Sequence, residues 1–307
     1  MSALNPTTPD PSASAFDPGP DPGATPVPVP VAHAAPQFDR RTEDLGNIVE
    51  FGHLNVRVPD QLLATVFYVT GLGLTRDPYL STGIDNAWIN VGSCQFHLPT
   101  GQPQVLRGTT VLVVPELDTL VVRLARIAQR LAGTKFSFSR TSPTQVDVTC
   151  PWGNRLRVHA PDAQRFGSMT LGMPCLEIDT APGTASRIAR FYRGMLGALA
   201  EQRRDEDGLF ARISVGLHES LVFRETDHAL PHYDGHHVQV TVVDFSGVHR
   251  RLQERGLVTE ESSQSQYRFQ DIIDLDSGEL LCTLEHEVRS MRHPQYRRAL
   301  VNRPWAE

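Results

Sequence analysis

"FYVTGLGL" (Phe67–Leu74) and "FYRGMLGA" (Phe191–Ala198) repeat one pattern 124 residues apart: an aromatic pair, a three-residue spacer and a Leu-Gly step. Each closes a helical pattern. Leu62, Leu63, Val66 and Phe67 recur at helical spacing, as do Ile188, Phe191 and Met195. A glycine after the last apolar turn suits a helix C-terminus, where the backbone needs a left-handed residue. An alternating stretch precedes each helix, "HLNVRVPD" from His53 and "CLEIDTAP" from Cys175. Apolar residues at every second position read as a half-buried strand.

Two more units of the same kind fit between and after these. "TTVLVVPE" (Thr109–Glu116) precedes the helical "LDTLVVRLARIAQRLAG" and runs on to "VDVTCPWGNRLRVHAPD". "HVQVTVVD" (His237–Asp244) precedes "FSGVHRRLQERGL" and runs on to "QDIIDLDSGELLCTLEHE". The chain therefore reads as an α+β protein of four strand–helix–strands modules. Residues 47–163 form a first domain and 168–290 a second. The late "EVRSMRHPQYRR" (Glu287–Arg298) reads as surface, and residues 291–307 form a C-terminal tail.

Composition bounds the partners. The 307 residues suffice for two ordinary domains, and 40% hydrophobic residues suffice for a packed core. Net charge is −6 and the basic residues form no dense run, which argues against nucleic acid. No apolar stretch approaches the ~20 residues of a membrane span. Cys94, Cys150, Cys175 and Cys282 lie far apart with no CxxC pair, so a reducing cytoplasm is the expected compartment. Residues 1–46 are rich in Pro, Ala, Gly and Asp, and read as a disordered segment.

The order of "GHLNVRVPD", the two "FY…LG" helices, "PWGNRLRVHAPD" and "GHHVQVTVVD" resembles the vicinal oxygen chelate superfamily, across about residues 48–290. That group includes glyoxalases, extradiol dioxygenases and bleomycin-resistance proteins. The resemblance implies tandem βαβββ modules, paired so that their sheets enclose a cavity. It also implies that the aromatic pairs, Tyr68 and Tyr192 included, anchor helices on the sheets rather than catalyse.

Strand alternation names the side chains that face such a cavity. In "HLNVRV", Leu54, Val56 and Val58 form the apolar face, leaving His53, Asn55 and Arg57 opposite. Gln95 and His97 share the polar side of "CQFHLP", and His237, Gln239 and Thr241 share that of "HVQVTV". His53 matches the family's first metal ligand, His97 sits where the family usually has Glu, and His237 takes the corresponding place in the fourth module. The resemblance thus implies His53, His97 and His237 as metal ligands, for iron, zinc, nickel or manganese. Thr109, Arg157, Cys175 and Phe223 occupy the matching places of the middle modules, and a guanidinium cannot ligate a metal. If consecutive modules pair, neither domain has a complete ligand set. If the first pairs with the fourth, the three histidines converge.

A carboxylate or proton-transfer group comes from later in the chain, with Glu285 and Tyr267 as the candidates. In "LLCTLEHE" either Glu285 or Cys282 points inward, depending on a bulge. His286 and Glu287 read as a solvated strand end, and His236 as a neighbour on the opposite face. Arg57 and Arg157 suit an acidic substrate or an internal ion pair, with Asn55 and Gln239 as further substrate contacts. Two functions follow: a metalloenzyme of the glyoxalase or dioxygenase type, or a metal-free protein that sequesters a small molecule. Four modules in one chain fit a monomer or a homodimer.

Overall fold

The computed structural model describes residues 38–80 and 83–305. Of residues 1–46, read as disordered, 1–37 lie outside these; the remainder carries a 3-10 turn at Arg40–Glu43 and a bridge from Gly46 to Ala198. The compact unit that carries the four modules begins at Glu43.

The four modules follow one another as read. The first holds β1 (Ile48–Asn55), α1 (Gln61–Ala64), β2 (Thr75–Arg76), β3 (Asn86–Val91) and β4 (Cys94–Pro99). The second holds β5 (Gly108–Val113), α2 (Leu117–Ile127), β6 (Ser137–Ser142), β7 (Gln145–Thr149) and β8 (Arg155–His159). A short helix, α3 (Ala163–Phe166), leads to the third: β9 (Gly172–Thr180), α4 (Ala185–Phe191), β10 (Ala200–Asp205), β11 (Gly208–Gly216) and β12 (Glu219–Glu225). The fourth holds β13 (His237–Val242), α5 (Phe245–Glu254), β14 (Val258–Ser263), β15 (Gln266–Ile273) and β16 (Leu280–Ser290). This is the α+β, tandem βαβββ fold.

The modules do not pair in chain order. One eight-stranded sheet runs β14-β15-β16-β13-β1-β4-β3-β2, and the other β10-β11-β12-β9-β5-β8-β7-β6. Sheet I thus joins the first and fourth modules through the antiparallel β1–β13 pair, and sheet II joins the second and third through β5–β9. The division into consecutive halves, 47–163 and 168–290, does not describe the sheets, because the step from β8 to β9 stays within sheet II.

Local chemistry explains the helices. Asp60 caps α1 by accepting from the Leu63 N–H, and Asp244 caps α5 by accepting from the Gly247 N–H. Leu117, Leu120, Leu124 and Ile127 form the buried stripe of α2. Both "FY…LG" helices loosen into a π-helical turn, Thr65–Gly71 after α1 and Tyr192–Leu196 after α4. Gly197 ends the second in the left-handed region, at φ 66°.

The aromatic pairs sit between the sheets. Phe67 and Tyr68 are buried, with Phe67 against Phe136 beside sheet II and Tyr68 against Phe96 of sheet I. Phe191 packs on Phe269 of sheet I and Tyr192 on Phe223 of sheet II. The Tyr192 hydroxyl lies 2.7 Å from Nε2 of His286, a buried residue of β16. Each pair therefore fastens a helix to both sheets. Burying one such ring contributes about 1.5–3 kcal/mol. Among the described residues, no helix is long and apolar enough to cross a membrane.

Candidate metal centre

His53 owes its direction to a bulge. Phe51 pairs with Val240 and His53 with Gln239, so β1 carries one extra residue, Gly52, at that point. The insertion lets Phe51 enter the core while His53 shares the face of sheet I that carries His97 and His237. A side chain at position 52 would fall 1.6 Å from Oε1 of Gln239, so the Gln239 amide sits where it does because residue 52 is glycine.

Three strands then bring three imidazoles together. Asn55 of β1 pairs with His97 of β4 on one side and with His237 of β13 on the other. One ring nitrogen each of His53, His97 and His237 lies within 4.8 Å of the others. The Nε2 atoms of all three are buried without a hydrogen-bond partner, and so is Oδ1 of Asn55. Buried polar atoms in native proteins are paired as a rule, so three converging orphaned imidazole nitrogens mark a place for a ligand.

The rings are neutral. Burial, with the Arg268 and Arg289 cations nearby, holds His237 down at about 2 and His97 at about 3; burial, then Arg289, pushes His53 well below the usual imidazole range. A neutral imidazole keeps the lone pair that ligation needs.

Sheet I has a pseudo-twofold axis between β1 and β13, and its register identifies a fourth position. His53 pairs with Gln239, and Asn55 with His237, so His53 matches His237 and Asn55 matches Gln239. His97 is the β4 partner of Asn55; the β16 partner of Gln239 is Glu287. Glu287 is therefore the counterpart of His97. It is 4% exposed, its Oε2 lies 3.8 Å from Nε2 of His237, and it is ion-paired with Arg268 and Arg289 at 2.9 and 2.5 Å. The expectation that His286 and Glu287 lie at a solvated end is corrected: β16 continues to Ser290, which buries both.

Glu285 does face inward, and Cys282 lies with Leu284 and His286 on the other side. Oε1 of Glu285 is 3.3 Å from Nδ1 of His237 and accepts from Arg268 at 2.5 Å. Glu285 thus orients His237 rather than joining the Nε2 cluster. Gln239 lies beside the cluster, its Nε2 donating to Thr241 at 3.1 Å. Trp88 of β3 is stacked on His97 with centroids 3.7 Å apart and planes at 11°. Sequence alternation alone gave no reason to single it out.

Other candidates stand elsewhere. Tyr267 packs on Phe245 and His249 of α5, and its hydroxyl donates to the Phe245 carbonyl, so it faces the helix and not the cluster. Arg57 is exposed beyond the end of β1 and forms no ion pair among the described residues. Arg157 belongs to sheet II, between Asp147 at 3.6 Å and Glu177 at 3.8 Å, as an internal ion pair. His236 is held by Asp234 at 2.7 Å, apart from the cluster. On sheet II the register places Val222, not Phe223, opposite Glu177; with Thr109, Arg157 and Cys175 it completes a face without a ligand set.

The tail is not a free surface segment. Arg298 donates to the buried Asp77 at 2.5 Å, Asn90 donates to the Val301 carbonyl, and the Gly92 N–H donates to Asn302. Gln295, Arg298 and Leu300 line, with His53, Gln95 and Gln239, a small pocket of about 20 Å³.

No family model matches the sequence, and no curated protein matches it. Solved structures do. A Bacillus subtilis protein whose assignment as a dioxygenase is itself provisional superposes with a TM-score of 0.52 at 15% identity, over 80% of this chain and 86% of that one. Two variants of glyoxalase I from Zea mays superpose with TM-scores of 0.52 and 0.51 at 12% and 11% identity, over 78% and 80% of this chain and 92% and 94% of theirs. At such identities the likeness speaks to architecture alone: this chain has the tandem βαβββ fold of those structures.

Proposed function

We propose that the protein is a metal-dependent enzyme of the glyoxalase or extradiol dioxygenase type, acting on a small oxygen-rich molecule. The convergence of three buried, neutral, unpartnered imidazole nitrogens carries this reading. His53, His97 and His237 would hold a divalent ion, with Glu287 as the carboxylate. Such an ion acts as a Lewis acid on the oxygens of a substrate.

The surrounding side chains have their own roles. Glu285 fixes His237 through Nδ1, and thereby aims Nε2 inward. The Asn55 carbonyl oxygen, buried and unpaired, accepts from a substrate hydroxyl. Gln239 stands beside it. Arg268 and Arg289 bracket Glu287 and keep the site close to neutral before an ion enters. The four unbridged cysteines support a reducing cytoplasm as the compartment. A monomer or homodimer completes the proposal.

One observation favours the metal-free alternative: Glu287 is already paired with two guanidinium groups. Metal analysis of purified protein separates the two. The enzyme reading expects about one bound ion per chain, lost in His53→Ala or His237→Ala. Protein that takes up no stoichiometric zinc, iron, nickel or manganese would leave only the binding protein.

A further inference from the structure

We infer that Trp88 is the positioning residue for His97, doing by ring stacking what Glu285 does for His237 by charge. The inference rests on the metal reading of the site. A ligating imidazole must be held in one plane, and this is usually done by a hydrogen bond to its second nitrogen. His237 has the Glu285 carboxylate 3.3 Å from its Nδ1. His97 has no such neighbour: no described residue hydrogen-bonds to either of its ring nitrogens. Its ring instead lies flat on the indole of Trp88, directly across the β3–β4 ladder.

Two features make this a holding contact rather than chance packing. The 3.7 Å separation and 11° tilt leave little freedom about the last side-chain torsion of His97, which is otherwise broad. The same indole meets His53 edge-on, with centroids 5.0 Å apart and planes at 84°, while His53 meets His97 at 5.5 Å and 88°. Only His97 lies flat on the indole; His53 meets no more than its edge, so the plane that Trp88 sets is that of His97. It is 8% exposed and lies on a strand of the sheet that carries the ligands, so its own position is fixed by the ladder.

The test is Co(II) binding to the full chain, followed by the visible bands of the ion and by quenching of tryptophan fluorescence. Trp88→Phe keeps an aromatic face and should bind Co(II) within about threefold of wild type. Trp88→Leu keeps an apolar side chain without that face. It should bind 10- to 100-fold more weakly, the range expected when the support of a ligand is removed, and with altered visible bands. In a His97→Ala background the Leu substitution should cost nothing further, because the ligand it positions is gone. A Trp88→Leu protein that matches wild type in affinity and bands, or whose loss persists without His97, overturns the inference and leaves the metal reading intact. Wild-type protein that binds no Co(II) overturns both.

Discussion

Acid should separate two properties of this protein that burial of the histidines couples. In an ordinary site, protons compete with the metal for each imidazole once the pH falls below about 6.5. At pH 5 that competition costs about 30-fold per ring, on the order of ten-thousandfold for three. Here the rings are held at about 3 for His97 and about 2 for His237, with His53 also well below its usual value. All three are therefore neutral at pH 5, and Zn(II) or Co(II) affinity should stay nearly flat between pH 7 and pH 5.

The same shift acts on the metal-free fold with the opposite consequence. The unfolded chain takes up protons on these histidines below about 6.5, and the native state does not. Stability therefore rises with pH through this range and is lost as the pH falls. Each ring contributes up to about 1.4 kcal/mol per pH unit, or about 2 kcal/mol between pH 6.5 and pH 5. Chelator competition at fixed ionic strength measures the affinity, and urea unfolding of the apoprotein measures the stability. An affinity that falls with a slope near three protons through pH 6.5 would refute the reasoning. Replacing His53, His97 and His237 together by Phe should make the acid limb of the apoprotein curve shallower without abolishing it, because burial also holds His159, His286 and His293 at about 4; an unchanged limb would place its origin elsewhere.

Glu287→Gln and Glu285→Gln should differ: the first removes the carboxylate and should cost the larger part of metal affinity, measured by the same competition assay, whereas the second loosens His237 and should cost about 10- to 100-fold. The duplicated tyrosines should differ too. Tyr192→Phe strands Nε2 of the buried His286 and should cost about 1–3 kcal/mol in urea unfolding. Tyr68→Phe removes no hydrogen bond between described residues and should cost less; equal losses would contradict the pairing assigned to Tyr192.

What the sequence showed was local. Alternation placed His53, Asn55, His97, His237 and Gln239 on one face because each strand obeys a period of two over a few residues. The "FY…LG" repeat identified helices by their apolar spacing and closing glycines. What it did not show depends on contacts distant along the chain. Trp88 reaches the site only because β3 lies beside β4, and Tyr267 leaves it because the turn into β15 sets which face looks at α5. Arg157 had a cavity-facing register, but in the other sheet.

Glu287 shows how such a position becomes legible. Its parity was available, since it is two residues beyond Glu285, yet a sequence gives no length for the last strand and no partner for it. The observed ladder supplies both. β16 pairs with β13 as far as Ser290, and β13 pairs with β1, so the relation of His97 to Asn55 is repeated by Glu287 and Gln239. This equivalence requires the first and fourth modules to share a sheet. Had consecutive modules paired, His97 would have faced Arg157 and Thr109, and a guanidinium would have stood where a ligand is needed. The ligand set and the module pairing are therefore one inference: a site with three imidazoles and a carboxylate exists only because the chain builds sheet II in its middle and returns to complete sheet I.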